Sequence, residues 1–332
     1  MTEPNPNPAR TSRVESAGGT DTPSVAAANE LAEAILDNVE TVIVGKRDAI
    51  EHVVTAVLGR GHVLLEDVPG TGKTMLARAF ARSVDASFGR VQFTPDLLPA
   101  DVTGVNVFDE RENDFEFRPG PVFANVVLAD EINRAPPKTQ SALLEAMAEE
   151  QVTVDGETRS LPDPFIVIAT QNEVERNRTY ELPVAEVDRF LKRIELGYPD
   201  ADDESEVLRR VVGEHPIESV EPVASIGDLR AARAATAAVN VEEPIREYAT
   251  ALARWTREHA ALGVSTRGIV RLLRAAQGRA VLGGREYVVP DDVKAEATAT
   301  LVHRVRADQG GAVGDDAARR VVEEALAEVT PE

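Results

Sequence analysis

Two clusters in this sequence have the residue types and spacing that phosphate chemistry needs. The first is Pro69-Gly70-Thr71-Gly72-Lys73-Thr74. Gly70 and Gly72 leave backbone N–H groups free to turn inward around an anion, and a helix starting beside them adds the positive end of its dipole. An ammonium at Lys73 reaches the outer phosphates of a nucleoside triphosphate, and the Thr74 hydroxyl ligates Mg²⁺. The usual pattern has one more glycine five residues before the Gly-Lys pair, where this chain has Asp67. The second cluster is Asp130-Glu131. Phosphoryl transfer to water needs one carboxylate for the metal and another group to orient and deprotonate the water, and neighbouring strand-end side chains diverge enough to divide those roles.

Three single residues extend the set. Asn172 has an amide that can hold the attacking water. Arg267 follows Ser265, the expected helix N-cap, so its charge opposes the helix dipole, which a contact with phosphate would offset. Arg189 can project from the subunit surface into a neighbour's site. Each has a plainer alternative, a turn-forming Asn at 172, a solvated Arg at 267 and a salt-bridged Arg at 189, as Asp130-Glu131 has in an acidic surface turn.

These residues need particular elements behind them. Val63-Leu64-Leu65, Val126–Ala129 and Phe165–Thr170 are short apolar runs, consistent with buried parallel strands, and Ile194–Leu196 is a fourth. Helical periodicity covers 26–42, 49–58, a stretch from Met75 and 137–150. Strands alternating with helices mean an α/β fold with a parallel sheet and chemistry at the strand carboxyl ends. Residues 105–108 with 115–118, and 151–154 with 158–161 across Asp155-Gly156, read as hairpins. Phe108, Phe115 and Phe117 lie on the first, as hairpin packing or as client contacts. From about 200 the chain becomes Ala-, Glu- and Arg-rich, with helices expected near 202–212, 226–239, 243–261, 266–282, 291–305 and 316–329 and Asp291 as an N-cap. The expected division is a disordered tail over 1–25, an α/β unit over 26–199 and a smaller all-α unit over 200–332.

Composition removes several functions. With no Cys there is no disulfide or thiolate metal site, and the five His are scattered without ligand spacing. A net charge of −21 disfavours broad binding to nucleic acid. No stretch is long and apolar enough for a membrane span and the polar start has no signal core, which places the chain in the cytoplasm. Abundant carboxylates with only five Lys fit a salt-rich interior.

Taken together, the blocks GHVLLEDVPGTGKT (61–74), QFTPDLLPADVTG (92–104), VVLADEINRAPPKTQSALLEAMAEEQV (126–152), IATQNE (168–173), LPVAEVDRFL (182–191) and GVSTRGIVRLLRAAQGRAVLGGREYVVPDDV (263–293) resemble the MoxR family of AAA+ ATPases. The resemblance covers about 42–305. It implies a P-loop NTPase with a five-stranded parallel sheet flanked by helices, a helical lid, hairpin inserts at about 102–121 and 151–161, and a homo-hexameric ring with ATP and Mg²⁺ between subunits. It carries the phosphate-loop role onto Lys73 and Thr74, the metal and base roles onto Asp130 and Glu131, and the sensor roles onto Asn172 and Arg267. The arginine-finger role falls on Arg189. Glu-Asp-Val-Pro-Gly at 66–70 is what the family looks like there. Glu173 and Thr266 stand where the family commonly has Pro, and 175–178 lacks an expected Gly. The implied function is ATP-driven, chaperone-like remodelling or maturation of protein clients with a von Willebrand factor A domain partner. The rivals are a nucleic-acid motor, disfavoured by the acidic turn 109–114, a nucleotide-gated scaffold with little hydrolysis, and a metabolite kinase.

Overall fold

The computed structural model describes residues 24–68, 70–172, 180, 182–212, 216–307 and 315–331. The tail through residue 23, Pro69, Glu173 and 175–178 lie outside them. Ser24 accepts a hydrogen bond from the Ala27 amide and caps α1 (Val25–Glu40), so residues 24 and 25, expected within the tail, belong to this helix and its cap. After α2 (Arg47–Leu58) come β1 (Val63–Glu66), α3 (Lys73–Ser83), β2 (Phe88–Gln92) and the short α4 (Pro99–Thr103). A hairpin of β3 (Gly104–Asp109) and β4 (Asp114–Pro119) follows, then β5 (Val126–Asp130) and α5 (Pro137–Glu149). A second hairpin, β6 (Gln151–Val154) and β7 (Glu157–Ser160), precedes β8 (Ile166–Gln171), the one-turn α6 (Val184–Val187) and β9 (Lys192–Ile194).

Five of these strands form one parallel sheet in the order β2-β5-β8-β1-β9. Alternation sends successive side chains to opposite faces, and both faces are covered, which is why the strands read as continuous apolar runs. Val63, Leu65, Leu128 and Ile168 pack with α1, α2 and α3, whereas Leu64, Val127, Ala129 and Val167 pack with Leu143, Leu144 and Met147 of α5. Beyond the exposed α7 (Ala201–Val211), the first face continues without a break into the C-terminal helices α8 (Ile226–Ala238), α9 (Glu243–His259), α10 (Thr266–Leu282), α11 (Pro290–Leu301) and α12 (Asp315–Glu328). Helices α1 and α2 therefore share one core with the helical lid.

Two expectations shift, and two elements appear that the sequence pattern does not mark. The edge strand is Lys192–Ile194, not 194–196: Lys192 is fully buried by ion pairing, which an apolar pattern cannot register. Helix α11 starts at Pro290 with Val289 as its N-cap, and Asp292, not Asp291, accepts the Val289 amide at 2.9 Å. Residues 184–187 form α6, and Phe88–Gln92 forms β2 although the apolar pattern marks no strand there. Both hairpins form where expected. Asp155 and Gly156 take φ +51° and +86°, the left-handed pair a two-residue turn needs. Phe117 packs on Phe123 and under the Arg159 guanidinium, whereas Phe108 and Phe115 pair edge to face and stay 48% and 66% exposed.

Candidate nucleotide site

Strand β1 is fully buried, so the chain must leave it by a turn before α3 can begin. Gly70 and Gly72 make that turn at φ +89° and +91°. A side chain at either would meet little, so the glycines are needed for backbone conformation rather than for space. Lys73 opens α3, and its Nζ donates to the carbonyls of Asp67 (2.7 Å) and Val68 (3.0 Å). Asp67 shows why its position can lack glycine. No positive φ is needed there, and its buried carboxylate accepts from the amides of Val68 (2.7 Å) and Gly197 (2.6 Å). It thereby ties the base of the loop to the segment leading into α7.

Asp130 is the last residue of β5 and Glu131 the first beyond it. The Asp130 carboxylate, 8% exposed, accepts from Thr170 Oγ1 (2.7 Å) and Arg90 Nη2 (2.7 Å), and Thr74 Oγ1 lies 3.4 Å from its Oδ2. Hydroxyl and carboxylate thus face each other across the sheet end, a hard-oxygen pair that fits Mg²⁺. Glu131 departs from the strand at φ +56°, ψ +51°, a left-handed conformation sparsely used by residues other than Gly, Asn and Asp. Its amide donates to Thr170 Oγ1 (2.8 Å), and its Oε2 accepts from Gln92 Nε2 (2.8 Å) and Arg134 Nη1 (2.7 Å). The two carboxylates keep separate partners, so one can hold a metal while the other addresses water.

Gly70, Gly72, Lys73, Thr74, Asp130, Glu131 and Asn172 line one cleft of about 340 Å³, with Asn172 just past the end of β8 and 5% exposed. Thr71 turns its hydroxyl to the Val68 carbonyl (3.3 Å) and does not line the cleft. Neither do Arg189 and Arg267. The Arg189 guanidinium, shortly before β9, donates to the Leu144 carbonyl of α5. Arg267 follows Ser265, whose hydroxyl caps α10 by accepting the Gly268 amide at 3.2 Å, and its Nη1 lies 3.4 Å from Asp188 Oδ2 with the side chain 69% exposed.

Sequence reasoning missed four residues here. Arg90 and Gln92 point to the cleft from β2, Thr170 bridges Asp130 to the Glu131 amide, and Arg134 holds the Glu131 carboxylate. Only Thr170, a polar residue closing an apolar strand beside Gln171-Asn172, carried a local signal. Behind the sheet His62 is a core residue. Burial pushes its imidazole down to about 4, and it is neutral, with Nδ1 accepting the Val167 amide (3.0 Å) and Nε2 facing the Met147 carbonyl (3.2 Å).

Comparison with known proteins agrees with this geometry. Residues 62–192 match the model of the ATPase family associated with various cellular activities (AAA), and 252–325 match the AAA lid domain. A Bacillus subtilis protein, YeaC, is 51% identical over 272 residues, covering 81% of this chain and 85% of its own. Chaperone MoxR1 of Mycobacterium tuberculosis is 39% identical over 284 residues, covering 82% of this chain and 75% of its own. Protein MoxR of Paracoccus denitrificans is 33% identical over 303 residues, covering 82% and 87%. Among solved structures, a Cytophaga hutchinsonii protein described as an ATPase superposes with a TM-score of 0.85 at 37% identity, covering 93% of this chain and 97% of that one.

Proposed function

The chain belongs to the MoxR family of AAA+ ATPases, and from that premise we propose that it hydrolyses Mg-ATP in the cleft at the end of β1, β5 and β8 and spends that cycle on remodelling protein clients. One observation carries the site assignment: Thr74 and Asp130 oxygens stand 3.4 Å apart beside Lys73, while Glu131 is held on its own partners. The chemistry that Mg²⁺ would supply here is neutralisation of charge on the phosphates. Thr74 and Asp130 supply its protein oxygens. The amides of 70–74 and the Lys73 ammonium hold the phosphates, Glu131 takes a proton from water, and Asn172 orients that water.

Arg189 cannot serve this cleft from its place beside Leu144, which supports a homo-hexamer in which it reaches the adjoining subunit's nucleotide as a finger. Arg267, at the start of α10, contacts the phosphates when the lid closes. On this reading 26–199 is the ATPase unit and 200–332 the lid, with the hairpins transmitting lid motion to the client. The chaperone name of the mycobacterial relative supports protein clients, and the acidic turn 109–114 of the exposed Phe108–Phe115 hairpin supports them over nucleic acid. A von Willebrand factor A domain partner and a cytoplasmic location belong to the same proposal. Among the described residues no helix is long and apolar enough to cross a membrane.

Phosphate release by the purified chain tests the assignment. Lys73→Ala should lose ATP binding, whereas Glu131→Gln should keep binding and lose about 100-fold or more of turnover. Wild-type turnover in either variant sinks the assignment. Proteins retained by the Glu131→Gln trap in the presence of ATP then identify the client.

A further inference from the structure

Arg267 and Arg189, which the proposed function assigns to nucleotides in two different subunits, are joined here through one carboxylate. Asp188 directly precedes Arg189, and its side chain is 16% exposed. Two lid arginines compete for it on unequal terms. Arg304, just past α11 and 3% exposed, donates from Nε to Asp188 Oδ1 at 2.7 Å and from Nη2 to the Asp188 carbonyl at 3.1 Å. That contact is built in. Arg267 meets Oδ2 at 3.4 Å while most of its side chain stays in solvent, so that contact can be exchanged.

The same helix holds the next residue. Arg271 lies four residues after Arg267, on the same face of α10, and its Nη1 donates to the Arg189 carbonyl at 3.0 Å. Two guanidinium groups therefore meet the Asp188 carboxylate and a third sits on the neighbouring carbonyl, and the surplus positive charge favours an additional anion. Burial lowers the affinity of Arg304 and Arg271 for their protons, and the Asp188 charge works against that lowering in both. An outer phosphate carries more charge than a carboxylate and can draw Arg267 away. Asp188 would not be stranded by that loss, because Arg304 keeps it paired.

We propose that Asp188 is a positioning residue that stores Arg267 when it is away from nucleotide and releases it to the phosphate, so that a subunit's own nucleotide sets the placement of the Arg189 it lends to its neighbour. The proposal rests on Arg267 being a phosphate ligand. Movement of α10 toward the cleft carries Arg267 and Arg271 together, and Arg271 draws on the Arg189 backbone. The stored contact opposes nucleotide binding, because the binding-competent arrangement is populated only when Arg267 leaves Asp188.

Calorimetric titration of the full chain with ATPγS tests this in four proteins: wild type, Asp188→Asn, Arg267→Ala and the double variant. The Asn oxygen still accepts from Arg304 but offers Arg267 no charge. Asp188→Asn should bind ATPγS about two- to five-fold more tightly, the range expected for releasing an exposed ion pair. In the Arg267→Ala background the same substitution should change affinity by less than about 1.5-fold, a dependence that a general structural role does not produce. Weaker binding by Asp188→Asn, or a gain that persists without Arg267, overturns the proposal while Arg267 keeps its role. If Arg267→Ala alone binds ATPγS like wild type, the phosphate-ligand premise fails and the proposal with it. Should Asp188→Asn not fold, Asp188 is left intact and the chain's lack of Cys is used. A polarity-sensitive dye on Thr266→Cys should respond to ATPγS and not to ADP, and equal responses to both overturn the storage role.

Discussion

Removing the charge of Glu296 should destabilise the whole chain more than any change in the cleft. Glu296 of α11 is fully buried and ion-pairs with the equally buried Lys192 of β9. Its other oxygen accepts Arg279 Nε of α10 at 2.9 Å, and His52 of α2 lies 3.5 Å away. Burial alone would raise the Glu296 carboxyl, but the charges of Lys192, His52 and Arg279 override it and hold the group well below the usual range. Burial also pulls the Lys192 ammonium down to about 8, so it remains protonated at neutral pH. Glu296→Gln keeps the shape and leaves that ammonium without its anion in a site with no access to water.

Breaking a buried pair on one side costs about 3–5 kcal/mol, a large share of the roughly 5–15 kcal/mol that holds a typical protein folded. The melting temperature should fall by roughly 4–8 °C. Circular dichroism reports the global transition, and fluorescence of Trp255 on α9 reports the lid. Pairing Lys192→Met with Glu296→Leu should recover at least half of the loss, because an apolar pair leaves no buried charge and Arg279 retains Glu51. The sign with pH follows from the lowered carboxyl. Ionised Glu296 stabilises the fold above the unfolded value near 4.5, and that contribution is lost as pH falls below it, at up to about 1.4 kcal/mol per pH unit. Glu296→Gln should flatten this acid limb. A variant within about 1 kcal/mol of wild type, with an unchanged acid limb, refutes the reasoning.

Gln92→Ala frees the Glu131 carboxylate from one of its two donors, and basal phosphate release should rise about five-fold, equivalent to about 1 kcal/mol of lost restraint. Arg90→Ala removes the cation bound to Asp130 Oδ2, so the Mg²⁺ concentration giving half-maximal nucleotide binding should fall, read by titrating Mg²⁺ against a fluorescent ADP analogue. Asp67→Ala strands the Gly197 and Val68 amides and should lower stability by about 1–3 kcal/mol in urea titrations. His62 is held at about 4 by burial, so the unfolded chain takes up its proton first. Stability should therefore drop by up to about 3 kcal/mol between pH 6.5 and 4, and a His62→Gln chain should lack that component.

What could be read in advance divides along a physical line. The strands and the cleft residues at their ends were legible because they are local: an apolar run of strand length, a glycine turn, and a carboxylate at the strand terminus each occupy a few consecutive positions. Arg90 and Gln92 were not, since only the parallel register of β2 with β5 sets Gln92 opposite Asp130 and so brings both side chains to the carboxylates. The misplaced edge strand has the same origin. Lys192 reads as a polar boundary until its partner, 104 positions later at Glu296, is folded against it. Asp67 read as a departure because its compensation, the Gly197 amide, lies far down the chain.

Those long-range polar contacts also explain how the segment around Arg189 is controlled. Residues 188–191 lead from α6 into the edge strand that Lys192 opens, and the Leu191 amide donates to the His62 carbonyl just before β1. Their polar anchors belong to the lid: Arg304 on Asp188 and on the Phe190 carbonyl, Arg271 on Arg189, and Glu296 on Lys192. An apolar interface tolerates sliding because its attraction is non-directional, whereas buried hydrogen-bonded charges fix one arrangement and oppose any other that leaves them unpaired. The edge of the sheet beside β9 is therefore bound to move with the helices behind it. On the proposed reading, a subunit that closes its lid displaces the turn bearing Arg189, the turn that the proposed ring would aim at the next subunit's nucleotide.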